Sequence, residues 1–127
     1  MVGLSPRSFR LAAWAWALLT AVLLLMPGSE AGREPFLPPL VETILELVVH
    51  FVLFLVLAWL TTRAAAVSES AGRVRWQRLF VALVAYCVAL ELGQLFVPLR
   101  HAEPLDLVFG CLGIWLGARA GRARPDR

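Results

Sequence analysis

The stretch ILELVVHFVLFLVLAWLTT, residues 44–62, decides the fold of this chain. Its 19 residues are apolar apart from Glu46, His50 and a closing pair of threonines, and they include neither glycine nor proline. A transmembrane helix needs about 20 predominantly apolar residues in succession. The stretch therefore predicts a helix that crosses a membrane.

Three further apolar segments accompany this one, at residues 9–27, 79–97 and 105–118. The sequence therefore predicts an all-α, polytopic membrane protein built as a bundle of four transmembrane helices. The fourth segment is short and rich in glycine. Its Gly113 and Gly117 form a GxxxG pattern, which is typical of closely packed helices and predicts a face where a second copy of the chain can pack.

The first apolar segment has a second interpretation, as a cleaved signal peptide. Arg7 and Arg10 precede the segment, and residues 29–31 loosely resemble a cleavage site. However, residues 11–26 form sixteen unbroken apolar positions, more than the roughly 7–15 of a signal-peptide core. Pro27 begins a natural helix stop. We therefore expect a retained helix.

The composition excludes the other broad classes of protein. Of 127 residues, 60% are hydrophobic and 17% charged, and the mean hydropathy is +0.75. One soluble domain of this size cannot bury so much apolar surface, and a disordered chain needs the opposite balance. We expect a single membrane domain over residues 1–127. The net charge is +3 and every basic residue is arginine, but these arginines flank apolar segments, so we expect a lipid bilayer and no nucleic acid as partner.

The arginines also predict the orientation of the chain in its membrane. Ten of the twelve lie in the N-terminal segment, in residues 63–78 and in the tail 119–127, whereas the other two linkers hold only Arg33 and Arg100. Positive charge is retained on the cytoplasmic side. We therefore expect both ends and the middle linker in the cytoplasm, with the proline-rich first linker and the turn 98–104 outside.

Three ionisable residues within the apolar segments are predicted to share one depth. His50, Glu91 and Asp106 each lie thirteen residues from the arginine at the cytoplasmic end of their segment. At 1.5 Å per residue, each stands about 20 Å above that arginine in a regular helix. In a hydrocarbon core about 30 Å thick, they form one polar layer in the outer third. Ionisable residues at such depth are functional candidates by default.

Nearby polar residues extend this layer into a predicted pocket that opens outward. Glu46 lies one helical turn before His50, and Gln94 follows Glu91 by three residues, so each pair shares a helix face. Arg100 lies in the outer turn, where its side chain can fold onto a carboxylate. We predict an acid/base layer of Glu91, His50 and Asp106, with Glu46, Gln94 and Arg100 as ligand-binding residues.

These residues resemble the VanZ-like membrane protein family over residues 42–117. The resemblance rests on His50-Phe51, Glu91-x-x-Gln94, Phe96-Val97-Pro98, Arg100, Asp106 and Gly113. In that pattern Glu46 takes an acidic position. Two positions depart from it: Leu47 stands where the family usually has lysine, and Gly110 where it usually has asparagine. Both departures remove polar pocket groups and put the usual family activity in doubt.

The resemblance implies a bacterial cytoplasmic-membrane protein linked to resistance against glycopeptide antibiotics, teicoplanin in particular. We expect a pocket that binds or acts on a lipid-linked component of the cell envelope. No nucleophile motif is present, so an enzyme and a non-enzymatic accessory or structural protein both stay open, and a small proton-coupled exporter is a third alternative. A metal held by His50, Glu91 and Asp106 is conceivable, but no ligand spacing supports it. We expect no metal and no cofactor.

Overall fold

Four α-helices follow one another along the chain: α1 (Pro6–Leu25), α2 (Pro39–Ala66), α3 (Arg73–Gln94) and α4 (Pro104–Arg122). The computed structural model describes residues 5–27, 38–66 and 73–122. Helices and the turns between them account for all of these residues. The prediction of an all-α chain is confirmed for this part of the protein.

Proline opens three of the four helices. Pro6, Pro39 and Pro104 each stand at the start of a helix, where the missing N–H costs no hydrogen bond and the fixed backbone angle suits the first turn. At the start of α1, the Ser5 hydroxyl accepts from the Ser8 N–H at 3.2 Å. This is the capping expected of serine before a helix.

The helices extend beyond the apolar segments that predict them. The second segment was placed at residues 44–62, but α2 has 28 residues and runs from Pro39 to Ala66. Most of the expected middle linker 63–78 is helical as well, because α3 begins at Arg73. Hydropathy marks the part of a helix that lipid can cover, whereas the backbone continues through alanine, arginine and glutamate, which favour helix. Arg33 lies outside the described residues.

The third helix stops earlier than predicted. The expected span 79–97 is wrong at its end, since α3 finishes at Gln94. The Val97 N–H donates to the Gln94 carbonyl at 3.1 Å, a turn bond rather than a helical one. Pro98 offers no N–H to continue the ladder, and Leu99 has a φ of 61°. The chain therefore turns sharply between α3 and α4.

The first two helices run in opposite directions. The indole N–H of Trp16 donates to the Leu53 carbonyl at 2.9 Å, and the rings of Phe9 and Trp59 meet edge to face with centroids 5.9 Å apart. Earlier residues of α1 thus contact later residues of α2, as antiparallel helices require.

The third helix runs parallel to the first. The Tyr86 hydroxyl donates to the Ala17 carbonyl at 2.6 Å, and the Gln94 side-chain amide donates to the Leu24 carbonyl at 3.0 Å. The contact that lies later on α1 also lies later on α3, as parallel helices require. Helices therefore alternate in direction from α1 to α3.

A ladder of glycines fixes α4 against α2. A side chain at Gly113 would meet the Phe51 carbonyl oxygen, and one at Gly117 would meet the Leu55 carbonyl oxygen. The ladder consists of four buried positions on α4: Gly110, Gly113, Gly117 and Gly121. The expectation that Gly113 and Gly117 form a face for a second copy is therefore corrected, because α2 of the same chain occupies that face. The contacts place α4 parallel to α2.

Apolar side chains cover both the inside and the outside of this bundle. Phe54, Leu57 and Ile114 belong to the buried core, while Trp14 is 76% exposed on α1. Three helices are long and apolar enough to cross a membrane, namely Pro6–Leu25, Pro39–Ala66 and Arg75–Gln94. The helix α4 is not among them. These three helices indicate a membrane protein.

One end of the bundle collects arginine. The helices α1 and α3 begin there and α2 and α4 end there, because neighbours alternate in direction. The guanidinium of Arg119 lies 5.0 Å from the centre of the Trp115 ring, and that of Arg122 lies 5.4 Å from the Trp76 ring. Arg124 and Arg127 lie outside the described residues.

Candidate functional site

A polar cavity of about 500 Å³ lies at the end of the bundle opposite the arginine-rich end. The end of α1, the first turns of α2 and α4, and the turn after α3 together form its wall. Its polar lining comes from seven side chains: Glu46, His50, Gln94, Arg100, His101, Glu103 and Asp106. A second cavity, of about 580 Å³, lies between α1, α2 and α3 nearer the arginine-rich end and is lined mostly by apolar residues.

The three residues of the predicted layer meet beside the polar cavity. His50 is 4% exposed, Glu91 9% and Asp106 5%. One ring nitrogen of His50 and one carboxylate oxygen from each of the other two lie within 4.8 Å of one another. Three separate helices contribute these groups, so their meeting depends on the packing of α2, α3 and α4. We call them the triad.

His50 has two ring nitrogens in different surroundings. Its Nδ1 lies 3.0 Å from the Glu46 carbonyl oxygen and 3.7 Å from Oδ1 of Asp106. A carbonyl oxygen can only accept, so Nδ1 is the nitrogen that carries a proton. Its Nε2 is buried and has no hydrogen-bond partner among the described residues. In this tautomer Nε2 carries a free electron pair.

Glu91 is held by the backbone of the turn that follows its own helix. The Glu103 N–H donates to Oε1 of Glu91 at 2.7 Å. This short bond fixes the carboxylate under the rim of the cavity, and it ties the start of α4 to the end of α3.

Gln94 lies one turn after Glu91 and is 2% exposed. Its amide nitrogen donates to the Leu24 carbonyl, whereas its Oε1 has no hydrogen-bond partner among the described residues. Gln94 therefore places an open hydrogen-bond acceptor, its Oε1, beside the cavity and one helical turn after Glu91.

Arg100 does not pair with the carboxylates in the way the sequence suggests. We expected its side chain to fold onto Glu91 or Asp106. Its Nε instead donates to the Met26 carbonyl at 3.0 Å, and its Nη2 lies 3.4 Å from the Leu23 carbonyl. Arg100 lines the cavity while it satisfies carbonyl groups at the end of α1, which has no basic residue in its last turn.

Glu46 is the least enclosed of the predicted site residues. Its side chain is exposed and stands on the cavity wall, while its backbone carbonyl faces the His50 ring. Glu46 and His50 do share one side of α2, as their spacing predicts. The carboxylate of Glu46 lies at the mouth of the site, and the triad lies deeper.

The two departures from the family pattern differ in their surroundings. A side chain added at Gly110 would meet the Cys87 sulfur at 2.7 Å and the Phe54 ring at 3.1 Å. An asparagine has no room there in this packing, because apolar groups already fill the space one turn below Asp106. Leu47 is half-buried on α2. Neither position lines the polar cavity.

Sequence reasoning missed part of the site. The backbone N–H of Glu103 holds Glu91, and carbonyl groups at the end of α1 receive Gln94 and Arg100. Backbone groups leave no mark in the residue pattern. The one available signal was Pro104, which places the free backbone of the preceding residue at a helix start.

Comparison with known proteins gives no relative for this chain: no family model, no curated protein and no solved structure matches it. The chemistry of the site therefore rests on its own geometry. A histidine with one free nitrogen beside two carboxylates can move a proton or hold a cation. Glu46, Gln94 and Arg100 surround an opening large enough for a polar headgroup.

Proposed function

We propose that this chain is a VanZ-like protein of the bacterial cytoplasmic membrane whose polar cavity binds or acts on a lipid-linked component of the cell envelope. The observation that carries the proposal is the position of the polar cavity. It lies at one end of a bundle whose outer surface is apolar, with the arginines at the other end. A lipid in the surrounding leaflet can place its headgroup in such a cavity.

The proposed orientation follows from the arginines. Positive side chains are retained in the cytoplasm, which places the polar cavity on the outer side of the membrane. Both ends of the chain are then cytoplasmic if α4 crosses as a fourth span. Support for that crossing comes from the glycine ladder, because α4 packs parallel to α2 along most of its length, and α2 is long enough to cross.

The proposed roles of the site residues follow their depth. Glu46, Gln94 and Arg100 lie where a headgroup enters the cavity, and an arginine side chain suits a phosphate or carboxylate. His50, Glu91 and Asp106 lie deeper and form an acid/base layer if a reaction takes place. These residues also carry the resemblance to the VanZ-like family, and their convergence supports a shared role for them in the site.

The test compares wild-type protein with Glu91→Gln in a glycopeptide-susceptible bacterium, at matched membrane levels. Teicoplanin and vancomycin susceptibility are measured beside the profile of lipid-linked wall precursors. We expect wild type to protect against teicoplanin and Glu91→Gln to lose that protection, because the amide cannot exchange a proton or carry a charge. A change in precursors that follows protection favours an enzyme, and protection without one favours a binding role.

The matched control is Glu42→Gln, which makes the same change in the first turn of α2 at an exposed position. We expect this variant to protect as wild type does. If wild type gives no protection and no change in precursors, the proposed link to teicoplanin is wrong. If Glu91→Gln protects fully, the triad is not part of the activity.

A further inference from the structure

We propose that the triad of His50, Glu91 and Asp106 is a binding site for one divalent transition-metal ion. The inference goes beyond the proposed function, because a metal site can be present whether the cavity receives a headgroup or not. It rests on three observations: the convergence of ligand atoms, the unpartnered buried atoms and the closeness of two buried carboxyl groups.

The ligand atoms are already close to the separation that a metal requires. Zinc bonds to nitrogen and oxygen at about 2.0–2.2 Å, so its ligands stand roughly 3–3.5 Å apart. In the triad the three ligand atoms lie within 4.8 Å of one another, and all three residues are buried.

The second observation is independent of the carboxylates. His50 Nε2 is buried without a hydrogen-bond partner among the described residues, while Nδ1 faces the Glu46 carbonyl. A metal-binding histidine commonly has this arrangement, with one nitrogen on the metal and the other donating to a carbonyl that fixes the ring. A buried polar atom without a partner is unfavourable, and coordination of a metal ion would give Nε2 a partner.

Gln94 lies one helical turn after Glu91 and carries a further unpartnered buried oxygen. Its side chain is 2% exposed, and its Oε1 has no partner in the part of the chain that is described. Amide oxygens are acceptable metal ligands. Gln94 also lines the cavity, so any coordination position left open by the triad faces the space into which a ligand enters.

Charge favours a divalent ion over an arrangement of side chains alone. Two ionised carboxylates at this separation repel each other strongly where little water is present. Arg100 donates to carbonyl groups of α1 instead of to either carboxylate. A divalent cation balances both negative charges. The imidazole ligand favours zinc over magnesium and calcium, which prefer oxygen alone, and the two carboxylates also suit manganese.

The experiment measures metal in the full chain, purified in detergent with an affinity tag that lacks histidine. The protein is stripped with a chelator and titrated with zinc and with manganese, and bound metal is counted by elemental analysis. We expect uptake of about one ion per chain. We expect His50→Gln, Glu91→Gln and Asp106→Asn each to weaken binding by at least about tenfold.

The matched control is His101→Gln, which removes the other histidine of the chain, one that lies outside the triad. We expect this variant to retain wild-type binding. The proposal is overturned if the wild-type chain takes up neither ion, or if His50→Gln binds as wild type does. Helix content measured by circular dichroism shows whether a variant that loses metal is still folded. Absence of uptake by the wild-type chain overturns the proposal by itself, and that outcome leaves the result of the teicoplanin experiment unaffected.

Discussion

At the scale of single residues, several polar side chains inside this bundle donate hydrogen bonds to backbone atoms. Trp16, Tyr86 and Gln94 each donate a hydrogen bond to a carbonyl on another helix. A polar group that loses its partner in hydrocarbon costs several kcal/mol. These three side chains therefore bind neighbouring helices together as well as filling space between them.

The Trp16 bond gives a direct test. Replacing Trp16 by phenylalanine keeps an aromatic ring but removes the N–H that donates to Leu53. We expect a loss of about 0.5–1.5 kcal/mol in the free energy of unfolding, the usual range for a hydrogen bond between helices in a membrane. The measurement is the midpoint of unfolding by dodecyl sulfate in mixed micelles.

Trp14 provides the comparison, because it lies on the same helix and its side chain is 76% exposed. Trp14→Phe is expected to change the unfolding free energy by less than about 0.5 kcal/mol. Equal effects of the two substitutions would show that the Trp16 hydrogen bond contributes nothing beyond the size of the ring.

Much of the site could be predicted from residue counting. His50, Glu91 and Asp106 were placed at one depth by their distance from the flanking arginines, and the structure brings them together. The partner of Arg100 could not be found in this way. Its direction depends on the turn after α3, in which Leu99 takes a positive φ, and neither hydropathy nor spacing describes such a turn.

At the scale of helices, the pairing of α2 with α4 depends on close backbone contact. The glycines at 110, 113, 117 and 121 recur every three or four residues, which places them on one face of α4. The pattern alone indicated a packing face but not its occupant. A second copy and a neighbouring helix leave the same sequence signature, and only the structure distinguishes them.

We expect Gly117→Ala to weaken the packing of α4 against α2. Its new methyl group would meet the Leu55 carbonyl oxygen, and backbone cannot move aside as a side chain can. Overpacking of this kind costs about 1–3 kcal/mol. The expected result is a lower thermal unfolding midpoint in detergent, with helix content unchanged below the transition.

Gly93→Ala is the matched control on α3. Its methyl group would meet the end of the flexible Leu25 side chain at 3.0 Å, which can rotate away. Alanine also favours helix over glycine by about 0.5–1 kcal/mol. We expect this variant to unfold at or above the wild-type midpoint. A loss as large as that of Gly117→Ala would contradict the role assigned to the ladder.

At the scale of the whole molecule, the alternating direction of the helices places most of the described arginines at one end of the bundle and the polar cavity at the other. The arginines of α1 and α3 at their starts, and of α2 and α4 at their ends, come together at one end of the bundle. The polar cavity lies at the other end. The apolar segments and the arginine positions predict this arrangement, because arginines flank alternate ends of successive segments.

Reporter fusions test the proposed orientation. Alkaline phosphatase is active outside the cytoplasmic membrane, and green fluorescent protein fluoresces inside it. We expect a fusion after Arg122 to fluoresce and to lack phosphatase activity, because α4 returns the chain to the cytoplasm. A fusion after His101 should show the reverse, since the turn between α3 and α4 faces outward.

Equivalent fusions after Pro27 and Ala66 complete the set, with phosphatase activity expected only after Pro27. Phosphatase activity after both His101 and Arg122 would show that α4 does not cross. Activity after Ala66 and fluorescence after Pro27 would reverse the whole orientation and place the polar cavity in the cytoplasm.

The contact between Arg100 and α1 also sets an order of assembly during synthesis. The first helix ends without a donor of its own for its last carbonyl groups, and the residue that donates to Met26 is made 74 positions later. A nascent chain that has reached only α2 therefore holds a helix end with open acceptors. The Arg100 contacts with α1 can therefore form only after α3 and the turn that follows it have been synthesised, so this part of the cavity rim cannot form before them.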